Sequence, residues 1–129
     1  MLIMMPVDCF FKAKIVYLIL SNETGEALKL LSDHYEVVEP KLKVGMPKKY
    51  SKNPACYVGN TKRIHVAHRD VLCNPLIILH EFYHHLQRVS NAHGGIEKYA
   101  DRFAQTYTEA YKTATKKIQP SIGTREEQI

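Results

Sequence analysis

Positions 80–87 read HEFYHHLQ, three histidines and a glutamate inside an otherwise apolar run. His80-Glu81-x-x-His84 is an HExxH pattern. On an α-helix, positions four apart are offset by about 40° and by about 6 Å along the axis, so the two imidazoles converge on one point beside the helix. That point can hold one Zn2+ ion, which takes histidine nitrogens at about 2.0–2.1 Å. Glu81 stands about 60° from His84 around the same helix and flanks the ion without having to ligate it. From there its carboxylate can take a proton from a metal-bound water and later deliver it to a leaving amine. His85 turns about 100° beyond His84 and is expected to be a structural or surface histidine. Left unliganded on a buried helix, this His-Glu-His set would cost on the order of several kcal/mol. A metal ion removes the conflict.

Two histidines are two ligands, whereas catalytic zinc takes three protein ligands and a water. Glu97 and Asp101 lie four apart in the next helical stretch, with residues 85–96 between His84 and Glu97. A turn at Gly94-Gly95 lets the second helix fold back on the first. Glu97 is then the expected third ligand. Asp101, one turn on, is expected to accept the free N–H of His80 and so fix its tautomer and orientation. A first-turn glutamate also suits the helix dipole, and a solvent-facing aspartate is common. Both assignments therefore draw their force from the HExxH beside them.

The elements that must position these residues are legible in outline. Asn74 is a good N-cap and Pro75 suits a first helical position, which predicts a helix from Pro75 to about Ser90. Its apolar residues, Leu76 to Leu79, Phe82, Leu86 and Val89, surround nearly the whole circumference, as in a helix buried between other elements. A last helix is predicted from Ile96 to about Lys117, with Tyr99, Ala100, Phe103, Ala104, Tyr107 and Tyr111 on one stripe. Upstream, ACYV (55–58) and RIHVAH (63–68) are β-prone runs joined by the turn-forming GNTK, a predicted hairpin. EVVEPKLKVG (36–45) reads as extended, since Pro40 disfavours helix. Residues 22–36 have helical spacing after the starters Asn22 and Thr24, and this helix is open to being continuous with the run Ile15–Leu20. The first segment itself reads as a strand or a buried helix. Pro120 ends the last helix, and SIGTREEQI (121–129) reads as a mobile tail.

At 129 residues the chain is expected to be one domain, and its 45% hydrophobic content supports a core without staples. Cys9, Cys56 and Cys73 form no CxxC pair, which argues against a disulfide framework and for a reducing compartment; a Cys56–Cys73 bridge is disfavoured. The net charge is +5, but lysines and arginines are spread along the chain and KTATKK (112–117) is their one local concentration. A solvated basic face fits this better than a nucleic-acid site. The run Ile15–Leu20 is far below the ~18 residues that span a bilayer. No membrane insertion and a soluble, cytoplasmic protein are expected. Oligomeric state has no signal in the sequence.

HExxH followed by Glu97-Lys98-Tyr99-Ala100-Asp101 resembles the gluzincin metallopeptidases, which share HExxH and a third-ligand glutamate on the following helix, commonly as ExxxD. EKYADRFA (97–104) also resembles the ExxAxxFA pattern of ImmA/IrrE-type proteins. The small size and the order helix, hairpin, HExxH helix, Glu helix resemble the archaeal minigluzincins, minimal soluble versions of membrane-protease catalytic domains. The resemblance is concentrated in residues 64–107 and is weak before residue 55. It implies a small single-domain α+β, zincin-like fold over residues 1–118, with a short twisted sheet and a C-terminal tail at 119–129. It also implies that RIHVAH forms the upper rim of the cleft and receives substrate as an added strand, leaving His65 and His68 as rim or surface residues. Some minigluzincins keep a terminal segment in the cleft. By that likeness the tail could pair with RIHVAH and bring Glu126 or Glu127 towards the metal; plain disorder is the alternative.

The expected function is a zinc metallopeptidase that hydrolyses peptide bonds of a polypeptide substrate, Glu81 activating a zinc-bound water. Two other classes compete: a catalytically idle zinc-binding regulatory protein, and a nucleic-acid-associated factor using the basic face. Intact Glu81 counts against the first, and the lack of a nucleic-acid motif against the second. A transition-state oxyanion needs a donor; His93, Tyr107 and Tyr111 are all chemically able, and the sequence does not choose among them.

Overall fold

Asp8 starts the first helix: its carboxylate accepts from the Phe11 amide at 3.3 Å, and α1 runs Cys9–Leu20. In the computed structural model, which describes residues 8–90 and 97–118, Ile15, Val16 and Ile19 make the buried face of this helix. The first segment is thus the buried helix of the two forms its sequence allows. It is not continuous with α2 (Thr24–Tyr35). The chain breaks at Asn22, which sits at φ 65° in the left-handed region that asparagine tolerates better than most residues. Thr24, buried at the start of α2, donates its hydroxyl to the Leu72 carbonyl and ties the helix to the short turn at Arg69–Cys73.

Three strands follow, β1 (Lys41–Val44), β2 (Ala55–Val58) and β3 (Arg63–Val66), in the spatial order β1–β3–β2. β2 and β3 form the predicted antiparallel hairpin around residues 59–62, and β1 lies parallel to β3 on its other side. Side chains alternate between the faces of a strand. Ile64 and Val66 are fully buried against the helices. The opposite face carries Arg63 and His65, in register with Lys41 and Lys43 of β1.

The next helix, α3, spans Pro75–Val89; Asn74 caps it by accepting from the Ile77 amide at 3.2 Å, with Pro75 at the first position. It buries Ile78, Leu79, Phe82 and Leu86 but leaves Leu76 about half exposed at 47%. The expectation of a helix buried all round is therefore corrected: one face of α3 packs and the other lines a cavity. Helix α4 (Glu97–Ile118) lies against both α3 and α1. Ala100, Ala104, Tyr107 and Ala110 are its buried stripe, and the small alanines bring the helices close. Tyr99, expected on that stripe, is about half exposed. A ring cluster of Tyr35, Phe82, Phe103 and Tyr107 fills the space between α2, α3 and α4.

The result is a small α+β fold, four helices against one three-stranded mixed sheet among the described residues. Cys9, Cys56 and Cys73 are all free thiols, so the disfavoured bridge is absent. None of the described helices is long and apolar enough to cross a membrane. The expectations placed on His93, Gly94-Gly95, Ile96, Pro120 and the 119–129 tail, with Glu126 and Glu127, lie outside the described residues.

Candidate metal centre

His80 and His84 stand one turn apart on α3, and their Nε2 atoms face each other at 3.3 Å. Glu97, in the first turn of α4, brings one carboxylate oxygen to 2.6 Å from His80 Nε2 and the other to 3.3 Å from His84 Nε2. All three residues offer donor atoms that lie within 4.8 Å of one another. A tetrahedral zinc with bonds of about 2.0–2.1 Å holds its ligands about 3.3 Å apart. The donor set and its spacing therefore fit such an ion.

The hydrogen bonds of His80 sharpen this. Its Nδ1 lies 2.8 Å from Asp101 Oδ1. A carboxylate only accepts, so Nδ1 carries the proton and donates it. In the neutral ring Nε2 then presents a lone pair, aimed at the Glu97 oxygen 2.6 Å away. Two acceptors at that distance repel unless a positive charge lies between them. A proton or a metal ion satisfies the contact. Burial works against protonation of His80, but the Asp101 hydrogen bond and the charges of Glu81 and Glu97 outweigh it and leave its pKa raised. Burial wins at His84, whose pKa is lowered.

Glu81 is buried, and among the described residues its side chain has no hydrogen-bond or ion-pair partner. Its carboxylate lines a cavity of about 570 Å³ together with His80, His84 and Glu97. Burial, and the negative charge of Glu97, push its pKa up to about 7 against the opposing pull of His80. No family model, curated protein or solved structure matches the chain.

The far wall of the cavity is strand β2, through Ala55, Cys56 and Tyr57. This corrects the expectation that RIHVAH forms the open rim. β3 is the central strand, paired on both sides, and has no edge left to receive a peptide or a tail. The edge at the cavity belongs to β2. The Ala67 amide bonds the Pro54 carbonyl at 2.8 Å, which sets the alternation of the antiparallel ladder. Cys56 and Val58 bond β3, so Ala55 and Tyr57 turn their amide and carbonyl groups outward. His65 is outside the His80–His84–Glu97 cluster, with Nδ1 donating to the Gly45 carbonyl at 2.9 Å.

His85 is fully buried, the structural histidine of its two expected forms. Nε2 donates to the Val38 carbonyl at 2.7 Å, which fixes the tautomer, and Nδ1 accepts from the Tyr57 hydroxyl at 2.8 Å. Burial lowers its pKa and keeps it neutral. Of the candidate oxyanion donors, Tyr107 is a core residue bonded to the Tyr35 hydroxyl at 2.7 Å, and Tyr111 packs at the core margin. Neither lines the cavity. Sequence reasoning missed Tyr50, Asn53, Gln87 and Arg88, which do. For Gln87 and Arg88 a signal existed: three, four, seven and eight positions separate them from His84 and His80, the helical spacings of a shared face.

Proposed function

We propose that the protein is a zinc-dependent metallopeptidase, gluzincin-like in its ligand set, that hydrolyses peptide bonds in polypeptides. The observation that carries this reading is Glu81, a buried carboxylate beside the His80–His84–Glu97 cluster whose side chain meets no partner among the described residues. A carboxylate kept for structure alone is normally paired; that of Glu81 is not among the fully buried unpaired atoms and opens onto the cavity instead. One kept for chemistry faces the space where a water and a substrate arrive.

In this reading His80, His84 and Glu97 hold one Zn2+, and Asp101 fixes the His80 ring. When bound, the ion supplies Lewis acidity towards a peptide carbonyl and a water. Glu81 takes the proton of the attacking water and returns it to the leaving nitrogen. A dication nearby lowers the pKa of Glu81 and favours the basic form at neutral pH. The outward amide and carbonyl groups of Ala55 and Tyr57 align an extended peptide along β2. The three free thiols fit a reducing compartment such as the cytoplasm. An idle zinc-binding protein would leave Glu81 without a purpose.

The test is cleavage of a mixed peptide pool by zinc-loaded, chelator-treated and zinc-restored protein, with Glu81→Gln as the control. Activity should vanish on chelation and return with zinc. Glu81→Gln should hold zinc stoichiometrically while its rate falls by at least about a hundredfold. Wild-type turnover in that variant refutes the mechanism.

A further inference from the structure

Beside the metal cavity lies a second groove, of about 410 Å³, between the segment at Pro47–Tyr50 and the outer face of the sheet. The two share the walls Tyr50, Tyr57, Gly59 and Arg88, so they meet at a saddle between the β2–β3 turn and the C-terminal end of α3. The second groove is lined by Lys49, Arg63 and Arg88 and by no carboxylate. Among the described residues these three cations make no ion pair. Lys41 continues the positive face, adjacent to Arg63 in strand register.

Arg88 packs along the β2–β3 turn. Its guanidinium lies across Gly59, where an added Cβ would come within 2.3 Å of Nη1. A side chain at 59 would displace the flexible end of Arg88 from this position. Asn60 accepts from Nη2 at 3.4 Å, a long contact that leaves the other donors of the planar fork available. Seven residues separate Glu81 from Arg88 on α3, about 10 Å of axial rise and a return to nearly the same face. An extended peptide advances about 3.3 Å per residue. A carboxylate about three positions from the scissile bond therefore reaches Arg88, and those beyond it reach Lys49 and Arg63.

We propose that this groove binds an acidic stretch of the polypeptide substrate, beginning about three residues to one side of the cleaved bond. The proposal rests on the peptidase reading for its occupant. An acidic peptide is favoured over nucleic acid because the groove opens into the metal cavity and runs on from the β2 edge, both suited to a main chain.

Binding separates the two ideas, since it needs no turnover. Labelled acidic, neutral and basic peptides of equal length are titrated by anisotropy into the zinc-loaded full chain carrying Glu81→Gln, with acids placed on either side of a central bond. The acidic peptide with acids on one side should bind best. Raising salt from about 0.05 to about 0.5 M should weaken it more than the neutral one. Arg88→Ala should weaken it about fivefold, the effect of one solvent-accessible ion pair, and Arg88→Glu with Arg63→Glu should reverse the preference towards the basic peptide. Equal affinity for all three peptides overturns the groove even if the wild-type chain proves a peptidase. Charge-selective binding together with no hydrolysis by the zinc-loaded wild-type chain overturns the peptidase reading and keeps the groove. A single-stranded oligonucleotide that binds more tightly than the acidic peptide, with the same sensitivity to Arg88→Glu, overturns the choice of occupant.

Discussion

Replacing Asp101 with alanine removes no proposed zinc ligand, yet it should weaken zinc binding measurably. In the wild-type chain His80 Nδ1 donates to Asp101 at 2.8 Å, which leaves Nε2 as the lone-pair nitrogen facing Glu97 and His84. Without the carboxylate, the ring is free to rotate and to adopt the other tautomer, in which Nε2 carries the proton and cannot ligate. Losses of this kind commonly cost 10–100-fold in metal affinity, about 1.4–2.7 kcal/mol. The Asp101 side chain is 64% exposed, so solvent screens its charge and water can replace part of the hydrogen bond. The expected loss is therefore near the lower bound, about tenfold. Asp101→Asn keeps an acceptor oxygen without the charge and should lose less. Competition with a chromophoric zinc chelator at fixed pH reads all three proteins. Unchanged affinity in Asp101→Ala, in a preparation where His84→Ala has lost binding, would refute the orienting role.

Three further outcomes are expected. His84→Ala should lower zinc stoichiometry well below one per chain by elemental analysis; undiminished zinc would mean that the ion sits elsewhere. Burial raises the pKa of both Tyr35 and Tyr107 above the ordinary 10.0. Their neutral forms are favoured in the fold, so their contribution is fully present below pH 10 and is lost as pH rises beyond it; urea midpoints should fall as pH rises above about 10, and a midpoint unchanged there would contradict the buried pair. Phe82→Ala removes the ring that meets Tyr35, Phe103 and His85 and should cost about 3–5 kcal/mol in denaturant unfolding; a cost under about 1 kcal/mol would mean the cluster is loosely packed.

Local signals carried the helices well. Asn74 and Pro75 mark the start of α3 because capping is a contest among neighbouring backbone groups, decided within a few residues. The hairpin of β2 and β3 was equally local. The His80, His84, Glu97 and Asp101 grouping was readable because two helical spacings, each of four residues, constrain where side chains point. What the sequence could not show was the place of β1. Its parallel pairing with β3 joins residues about twenty apart across the whole of β2, and no residue type announces it. That pairing alone turns RIHVAH from a rim into a central strand and hands the free edge to ACYV. Tyr107 stayed open for a related reason: a hydroxyl able to serve catalysis is equally able to satisfy another buried hydroxyl, and only its meeting with Tyr35 decides between them.

His85 also sets a mechanical tolerance. The side chains of α3 reach about 6 Å from its axis, and a zinc ligand is useful within about 0.2 Å of its ideal position. Dividing one by the other allows the helix to roll by only about 2° before a ligand falls out of range. Packed leucines and isoleucines resist such rolling softly, since apolar contacts have no direction. The bonds from His85 to Val38 and Tyr57 do have direction, and they leave the helix about 100° round from His84. His85 thus works as a keyway, clocking α3 to the sheet so that the neighbouring His84 meets its target. A substitution there should blur the alignment of a centre that it never touches.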